Sequence, residues 1–250
     1  MIVLGIETST DSAGVSLADD NGVLAEINIS RTRRYVETIV PAIETLLRIA
    51  CMDISVMDAV AVDTGPGLYT GLRVGVATAK SLCFALGIKA VAVGSLELLA
   101  HAVSRTIGTG YMDGWTILTV IDAKRGEVFW NTYTVRKGQA ITEGAAKVSP
   151  PSSIESAIHA GVGSEENNRP MLVVGNGAVR YKDELSRIPG VSFAGPAFYG
   201  IPAGVLSMVG VQRVLAGESI SADGLGIQYL REPDAVVNWK IRDGLSRIAP

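Results

Sequence analysis

The chain has 250 residues, of which 48% are hydrophobic and 19% charged, which excludes a disordered segment and suffices for one large or two modest domains. A formal net charge of −3 argues against nucleic-acid binding as a solo activity, because phosphate contacts need a concentrated basic face. Two cysteines, Cys51 and Cys83, each in an apolar segment, exclude a disulfide framework and read as core thiols in a reducing compartment.

The first elements follow from hydrophobic period. Ile2 to Ile6 is an apolar strand that opens the chain with no secretory pattern, and a polar turn covers Glu7 to Asp11. Alternation of Ala13, Val15 and Leu17 predicts a second strand, and the turn dipeptide Asn21-Gly22 leads to a third from Val23 to Ile29. Arg31, Arg33 and Arg34 form the one tight basic cluster and read as a solvated loop. Val36, Ile39, Val40, Ile43, Leu46, Leu47 and Ala50 then recur at helical spacing. A short strand, Ala59 to Val62, runs into the glycine-rich stretch Gly65 to Gly75, a helix to Leu86 closes at Gly87, and strand Ala90 to Val93 precedes a helix capped by Ser95. The helix ending at Leu86 is too short to cross a bilayer.

After a loop at Gly108 to Gly114 the same order returns. Strand Thr116 to Ile121, turn Asp122 to Gly126 and strand Glu127 to Val135 are followed by a third strand within Gln139 to Val148. A helix starts behind Pro150-Pro151-Ser152-Ser153, the stretch Gly161 to Arg169 is glycine-rich and polar, Met171 to Val174 is a strand, and Ala178 to Ile188 is a closing helix. Both halves read β-β-β-α-β-α. The expected organisation is a first lobe over 1–110, a second, smaller lobe over 111–200 and a tail over 218–250. A helix near 202–217 stands between them, and periodicity does not place it; its expected home is the first lobe. Basic residues recur late, as Arg231, Lys240, Arg242 and Arg247.

The stretch Gly65-Pro66-Gly67-Leu68-Tyr69-Thr70-Gly71-Leu72-Arg73-Val74-Gly75 supports two readings. Backbone amides freed by glycine at a helix start can surround a phosphate or carboxylate. Equally, Gly65 and Gly67 can serve a tight turn while Gly71 and Gly75 let the helix approach a sheet. The stretch is neither a P-loop nor a dinucleotide fingerprint, since it lacks Gly-Lys-Ser/Thr and has Thr70 where a third glycine would fall.

A duplicated β-β-β-α-β-α unit is the architecture of the ribonuclease H-like actin, sugar-kinase and chaperone ATPase class, so the expected fold is a two-lobed α/β one. Four stretches in order narrow it: Ile6-Glu7-Thr8-Ser9-Thr10, Gly65 to Gly75, Ile121-Asp122-Ala123-Lys124-Arg125-Gly126-Glu127-Val128-Phe129, and Tyr229-Leu230-Arg231. Over nearly its whole length the chain resembles the TsaB (YeaZ) family. The resemblance implies a role in making threonylcarbamoyladenosine, the modified base beside the anticodon of tRNA. In that scheme TsaB is a non-catalytic partner, its paralogue TsaD transfers a threonylcarbamoyl group from an adenylate made by TsaC, and the ATPase TsaE binds the complex. Relatives also form homodimers, through a face that overlaps the one offered to TsaD, and tRNA is met only through the complex. With no disulfide framework, no secretory pattern and no helix of bilayer length in the sequence, the expected location is the cytoplasm, with no membrane association.

The residues themselves agree with a non-catalytic role. A TsaD-type catalyst needs a His-x-x-x-His metal pair, whereas the two histidines here, His101 and His159, lie far apart, and no Gly-x-Ser-x-Gly elbow is present. Glu7, Thr8 and Ser9, with Gly65, Gly67, Thr70, Gly71 and Asp122, fall where the ATPase class holds nucleotide. Active kinases of the class have an aspartate at the position of Glu7, so these residues read as a degenerate nucleotide site, with no cofactor of the chain's own and ATP or ADP contact only within a complex. The alternative function is an ATP-dependent phosphotransferase of the same fold. The expected partner surface is the pair of helices after residue 34 and after residue 69, through Tyr35, Val36, Ile39 and Ile43 on the first and Leu72, Arg73, Val76 and Lys80 on the second. Tyr35 stands where many relatives carry a histidine.

Overall fold

The computed structural model describes residues 1–30, 34–106, 111–161 and 169–231. Arg31, Arg33, Lys240, Arg242 and Arg247, the side chain of His159 and parts of both expected loops lie outside them.

Each half builds one sheet. In the first, β1 (Val3–Glu7), β2 (Ala13–Asp19) and β3 (Gly22–Ile29) form the meander, α1 (Tyr35–Ile49) crosses to β4 (Ala59–Asp63), and α2 (Tyr69–Leu86) crosses to β5 (Lys89–Val93). The sheet order is β3-β2-β1-β4-β5, with β1, β4 and β5 parallel. Helix α3 (Ser95–Thr106) follows. In the second half β6 (Thr116–Lys124), β7 (Glu127–Arg136), β8 (Gln139–Thr142) and β9 (Lys147–Ser149) precede α4 (Ile154–Gly161), β10 (Met171–Val174), α5 (Asn176–Arg180), α6 (Lys182–Leu185) and β11 (Val191–Phe193). The order β11-β10-β6-β7-β8 matches the first sheet.

The repeat is therefore one strand longer than its sequence pattern predicts. Strand β5 is the edge of the first sheet, and β11 is its counterpart in the second. Three residues with alternating exposure give β11 too short a signal to find by period. The single strand expected over Gln139 to Val148 is two, β8 and β9, each pairing with β7. The closing helix of the second half is broken at Tyr181 into α5 and α6.

Alternation along the strands divides the core into three. Leu4, Ile6, Val60 and Val62 face α1 and α2, while Val3, Ala59 and Ala61 face the opposite way. In the second sheet Ile117, Ile121, Phe129 and Tyr133 point towards the first lobe, and Leu118, Val120, Val128 and Trp130 point towards α4 to α6. The central layer is filled by α3 and by α7 (Ala203–Leu215). Helix α7 lies on the first sheet: Ser16 Oγ donates to the Ala203 carbonyl at 2.6 Å, and Glu26 Oε1 accepts the Gly204 amide at 2.8 Å. Small residues admit it. A Cβ on Gly210 would stand 2.6 Å from Ala61 Cβ, and one on Gly5 would stand 3.0 Å from the Ser207 nitrogen.

Beyond α7 the chain doubles back as a strap. Ile220 pairs with Ala90 at the edge of the first sheet, the Gln228 amide donates to the Thr64 carbonyl at 2.8 Å, and Arg231 reaches Glu127 of the second lobe at 3.1 Å.

Candidate functional site

The C-terminal ends of β1 and β4 and the start of α2 meet at one point, and the glycine stretch is what lets them meet. A Cβ on Gly71 would lie 2.0 Å from the Thr8 carbonyl oxygen, and one on Gly67 would lie 2.2 Å from that of Ser9. Carbon and oxygen never approach so closely without a bond, so only glycine fits. Two amides of the stretch serve the protein itself: Gly65 N–H donates to Asp63 Oδ1 at 2.8 Å, and Leu68 N–H donates to the Ser9 carbonyl at 2.6 Å. Thr8 Oγ1 donates to the Gly71 carbonyl at 2.8 Å. The glycines press α2 onto the turn after β1, as the packing reading expects, while Pro66 to Thr70 also line a cleft.

That turn is consequently closed. Glu7, Thr8 and Ser9 are fully buried, as are Gly65 and Gly71, while Gly67 is half-buried and Thr70 exposed. Glu7 Oε1 accepts from the Ser9 amide at 2.7 Å and its hydroxyl at 2.6 Å. Asp63 Oδ1 accepts from Ser95 Oγ at 2.5 Å as well as from Gly65. Burial, reinforced by the neighbouring Asp63, pushes the Glu7 carboxyl up to about 8. Burial likewise pushes Asp63 up to about 6. Glu7, Thr8 and Ser9 thus form a buried polar turn whose hydroxyls serve the protein's own groups.

Asp122 occupies the equivalent turn of the second lobe, and there the environment is polar. Arg125 and Gly126 both adopt positive φ, as a tight hairpin requires, and a bulge between Asp122 and Lys124 turns the lysine inwards. Lys124 Nζ lies 3.0 Å from Asp122 Oδ2 and 3.3 Å from Asp11 Oδ2, so it pairs with a carboxylate of each lobe. Arg180 approaches Asp122 at 3.5 Å, and the Asp122 amide donates to Asn176 Oδ1. The carboxylates hold the Lys124 ammonium above its usual range against the opposing effect of burial. On the α2 side of this bridge is a cleft of about 360 Å³, walled by Thr70, Asp122, Phe129, Tyr229 and Arg231 among others. The strap makes its outer wall: the Tyr229 ring stands 5.4 Å from that of Tyr69, with the Arg73 guanidinium 3.9 Å from the Tyr69 ring. Sequence reasoning singled out Tyr229 and Arg231 but did not place them at this cleft, because their positions depend on the strap's path.

The expected partner surface is corrected residue by residue. Tyr35, Ile39, Ile43, Leu72 and Val76 are all buried within the first lobe. Tyr35, Ile39, Ile43 and Val76 belong to the core between these helices and the sheet, Leu72 lies against Gly65, and the Tyr35 hydroxyl donates to the Thr10 carbonyl at 2.6 Å. Val36 at 72% and Arg73 remain exposed, and Lys80 is half-buried. Missed by the sequence reading as surface residues were Val40, 50% exposed one turn after Val36, and Phe84, 86% exposed on the outer face of α2, which Ala77 shares. Their signal was available in the helical spacing of Thr70, Arg73, Ala77, Ser81 and Phe84. His101 is half-buried on α3, with Nε2 3.5 Å from Glu97 Oε1. Among the described residues no group of three metal-ligating side chains occurs.

Comparison with known proteins bears on this arrangement. A family model described as TsaD, tRNA N6-adenosine threonylcarbamoyltransferase, matches residues 22–178. The tRNA threonylcarbamoyladenosine biosynthesis protein TsaB of Bacillus subtilis (strain 168) is 30% identical over 241 residues, covering 96% of this chain and 98% of that protein. This chain belongs to the TsaB family. The TsaB of Escherichia coli (strain K12) is 29% identical over 133 residues, 53% of this chain and 55% of its own length. The solved structure of YeaZ from Pseudomonas aeruginosa superposes with a TM-score of 0.76 at 25% identity, covering 92% of this chain and 99% of that one. The TsaB resemblance drawn from four short stretches is therefore correct, and the two-lobed duplicated fold is that of a solved family member.

Proposed function

We propose that this chain is the non-catalytic partner of a TsaD-type enzyme in the threonylcarbamoyl modification of the adenosine beside the tRNA anticodon. Family membership supports the pathway, and one structural observation supports the role: α1 and α2 present Val36, Val40, Ala77 and Phe84 to solvent beside Arg73. An apolar centre with a charged rim is the anatomy of a protein interface. Helices whose inner stripe is already buried in their own lobe have this outer stripe left for a partner. The same face serves a second copy of the chain, so homodimer and heterodimer exclude each other. A TsaE-type ATPase joins the heterodimer, and ATP or ADP and tRNA are met only within that assembly, in the cytoplasm. Among the described residues no helix is long and apolar enough to cross a membrane.

The phosphotransferase alternative requires the turn after β1 to receive a phosphate. Helix α2 covers that turn, and its hydroxyls and amides serve the protein's own backbone and carboxylates.

The test mixes the purified chain with its TsaD-type partner and follows association by light scattering. Val40→Glu and Ala77→Glu place a charge on the exposed face of each helix and are expected to abolish the complex while circular dichroism stays native. A complex that survives both changes, or no complex with a competent TsaD, overturns the proposal.

A further inference from the structure

Two buried carboxyl groups stand side by side beneath the α2 turn with no counter-ion. Glu7 ends β1 and Asp63 ends β4, and the parallel register that pairs Ile6 with Val62 brings these two residues next to each other. Both are fully buried, and among the described residues neither forms an ion pair. Each uses one oxygen in the same way, accepting an amide and a hydroxyl from its own turn or the next helix. Each leaves the other oxygen, Glu7 Oε2 and Asp63 Oδ2, buried with no donor.

An ionised carboxylate without a donor is among the most costly groups to bury, and two adjacent ones cannot both ionise at neutral pH. The groups facing the pair supply no positive charge. Ser9 on the β1–β2 turn contributes its hydroxyl to Glu7 and lies against Asp63. From α3 come the Ser95 hydroxyl and the Glu97 carboxylate, which Arg213 pairs at 2.6 Å and His101 approaches at 3.5 Å. From α1 the Tyr35 hydroxyl goes to the Thr10 carbonyl, and α2 contributes the Gly71 carbonyl to Thr8. A proton on one orphaned oxygen turns it into a donor and halves the charge of the pair.

We propose that Glu7 and Asp63 form a carboxylic acid–carboxylate pair that retains one proton at neutral pH, and that this proton holds the turn after β1 against the turn after β4. The pair thus acts as a pH-sensitive clasp under the start of α2. Folding raises the proton affinity of both groups, so the stability they contribute is complete at acid pH. It is lost as pH rises, first through the titration of Asp63 near about 6 and then through that of Glu7 near about 8.

The experiment is infrared spectroscopy of the full chain at neutral pH, where exposed carboxyls are ionised, with thermal melting between about pH 6 and about pH 9 as second readout. The expected results are a protonated-carboxyl band in the parent chain, its loss in Glu7→Gln, and a melting temperature that falls with pH in the parent but not in Glu7→Gln, whose amide supplies the same donor permanently. Asp63→Asn is the second variant. A folded parent without the band at neutral pH overturns the proposal, and so does a band unchanged in either variant. Should both variants fail to fold, the parent's band decides alone: it must disappear as the melting temperature drops.

Discussion

Replacing Gly71 by alanine sets two effects of known size against each other. In a helix, alanine is favoured over glycine by about 1 kcal/mol, so propensity alone predicts a more stable protein. The added methyl would lie 2.0 Å from the Thr8 carbonyl oxygen, a backbone atom that no rotamer change can move. Relief requires α2 and the turn after β1 to separate by about 1 Å, which costs about 1–3 kcal/mol as overpacking. Separation also breaks the buried hydrogen bond from Thr8 Oγ1 to the Gly71 carbonyl, about 1–3 kcal/mol more. The net expectation is a loss of about 1–5 kcal/mol, set against the roughly 5–15 kcal/mol that holds a typical domain. Urea denaturation followed by circular dichroism measures it. Gly75→Ala provides an internal control, because its methyl would meet Thr8 Oγ1 at 2.3 Å, a side-chain atom. Thr8→Ala should therefore rescue Gly75→Ala and leave Gly71→Ala unrescued, a coupling that a double-mutant cycle reads directly. A Gly71→Ala chain within about 0.5 kcal/mol of the parent would refute the close seating of α2, and with it the packing account of the whole glycine stretch.

Neighbouring positions on α1 should part company: Ile39→Ala is expected to cost about 2–5 kcal/mol, whereas Val40→Ala should stay within about 0.5 kcal/mol in the same denaturation assay. Equal losses at both would contradict the inward and outward faces assigned to the helix. Lys124→Ala removes the ammonium from Asp122, leaving Arg180 as its cation among the described residues, and removes the bridge to Asp11; with the lysine 38% exposed the expected cost is about 1–2 kcal/mol after solvent screening. That loss should shrink in high salt, and a salt-independent loss would point to packing instead. Arg231→Ala detaches the strap from Glu127, so amide exchange from Leu225 to Arg231 should quicken with global stability changed by less than about 1 kcal/mol. Unchanged exchange would mean that the Tyr229 and Gln228 contacts hold the strap by themselves.

The order of elements, the duplication and the family were legible in the residues because each depends on local pattern. Period-two alternation marks β1, β2 and β7, period 3.6 marks α1 and α2, and four short stretches in order mark a TsaB relative. The site was less legible, for one recurring reason: spacing shows that a side chain lies on a helix or in a turn, not what is packed against it. Ile39 and Val40 are both apolar and adjacent, and only the sheet beneath α1 buries one and exposes the other. The glycines from 65 to 75 allow a tight contact, and only the fold brings the Ser9 and Thr8 carbonyls against Gly67 and Gly71. Glu7 and Asp63 are more than fifty positions apart, and parallel pairing of β1 with β4 makes them neighbours. Helix α7 reads as apolar on most sides, and its place was decided by the depth of the groove that Gly5, Gly14 and Ala61 leave on the first sheet. Local chemistry thus determined which elements form and in what order. Which faces close against one another, and so which residues remain for a partner, was decided by long-range burial, which no sequence period records.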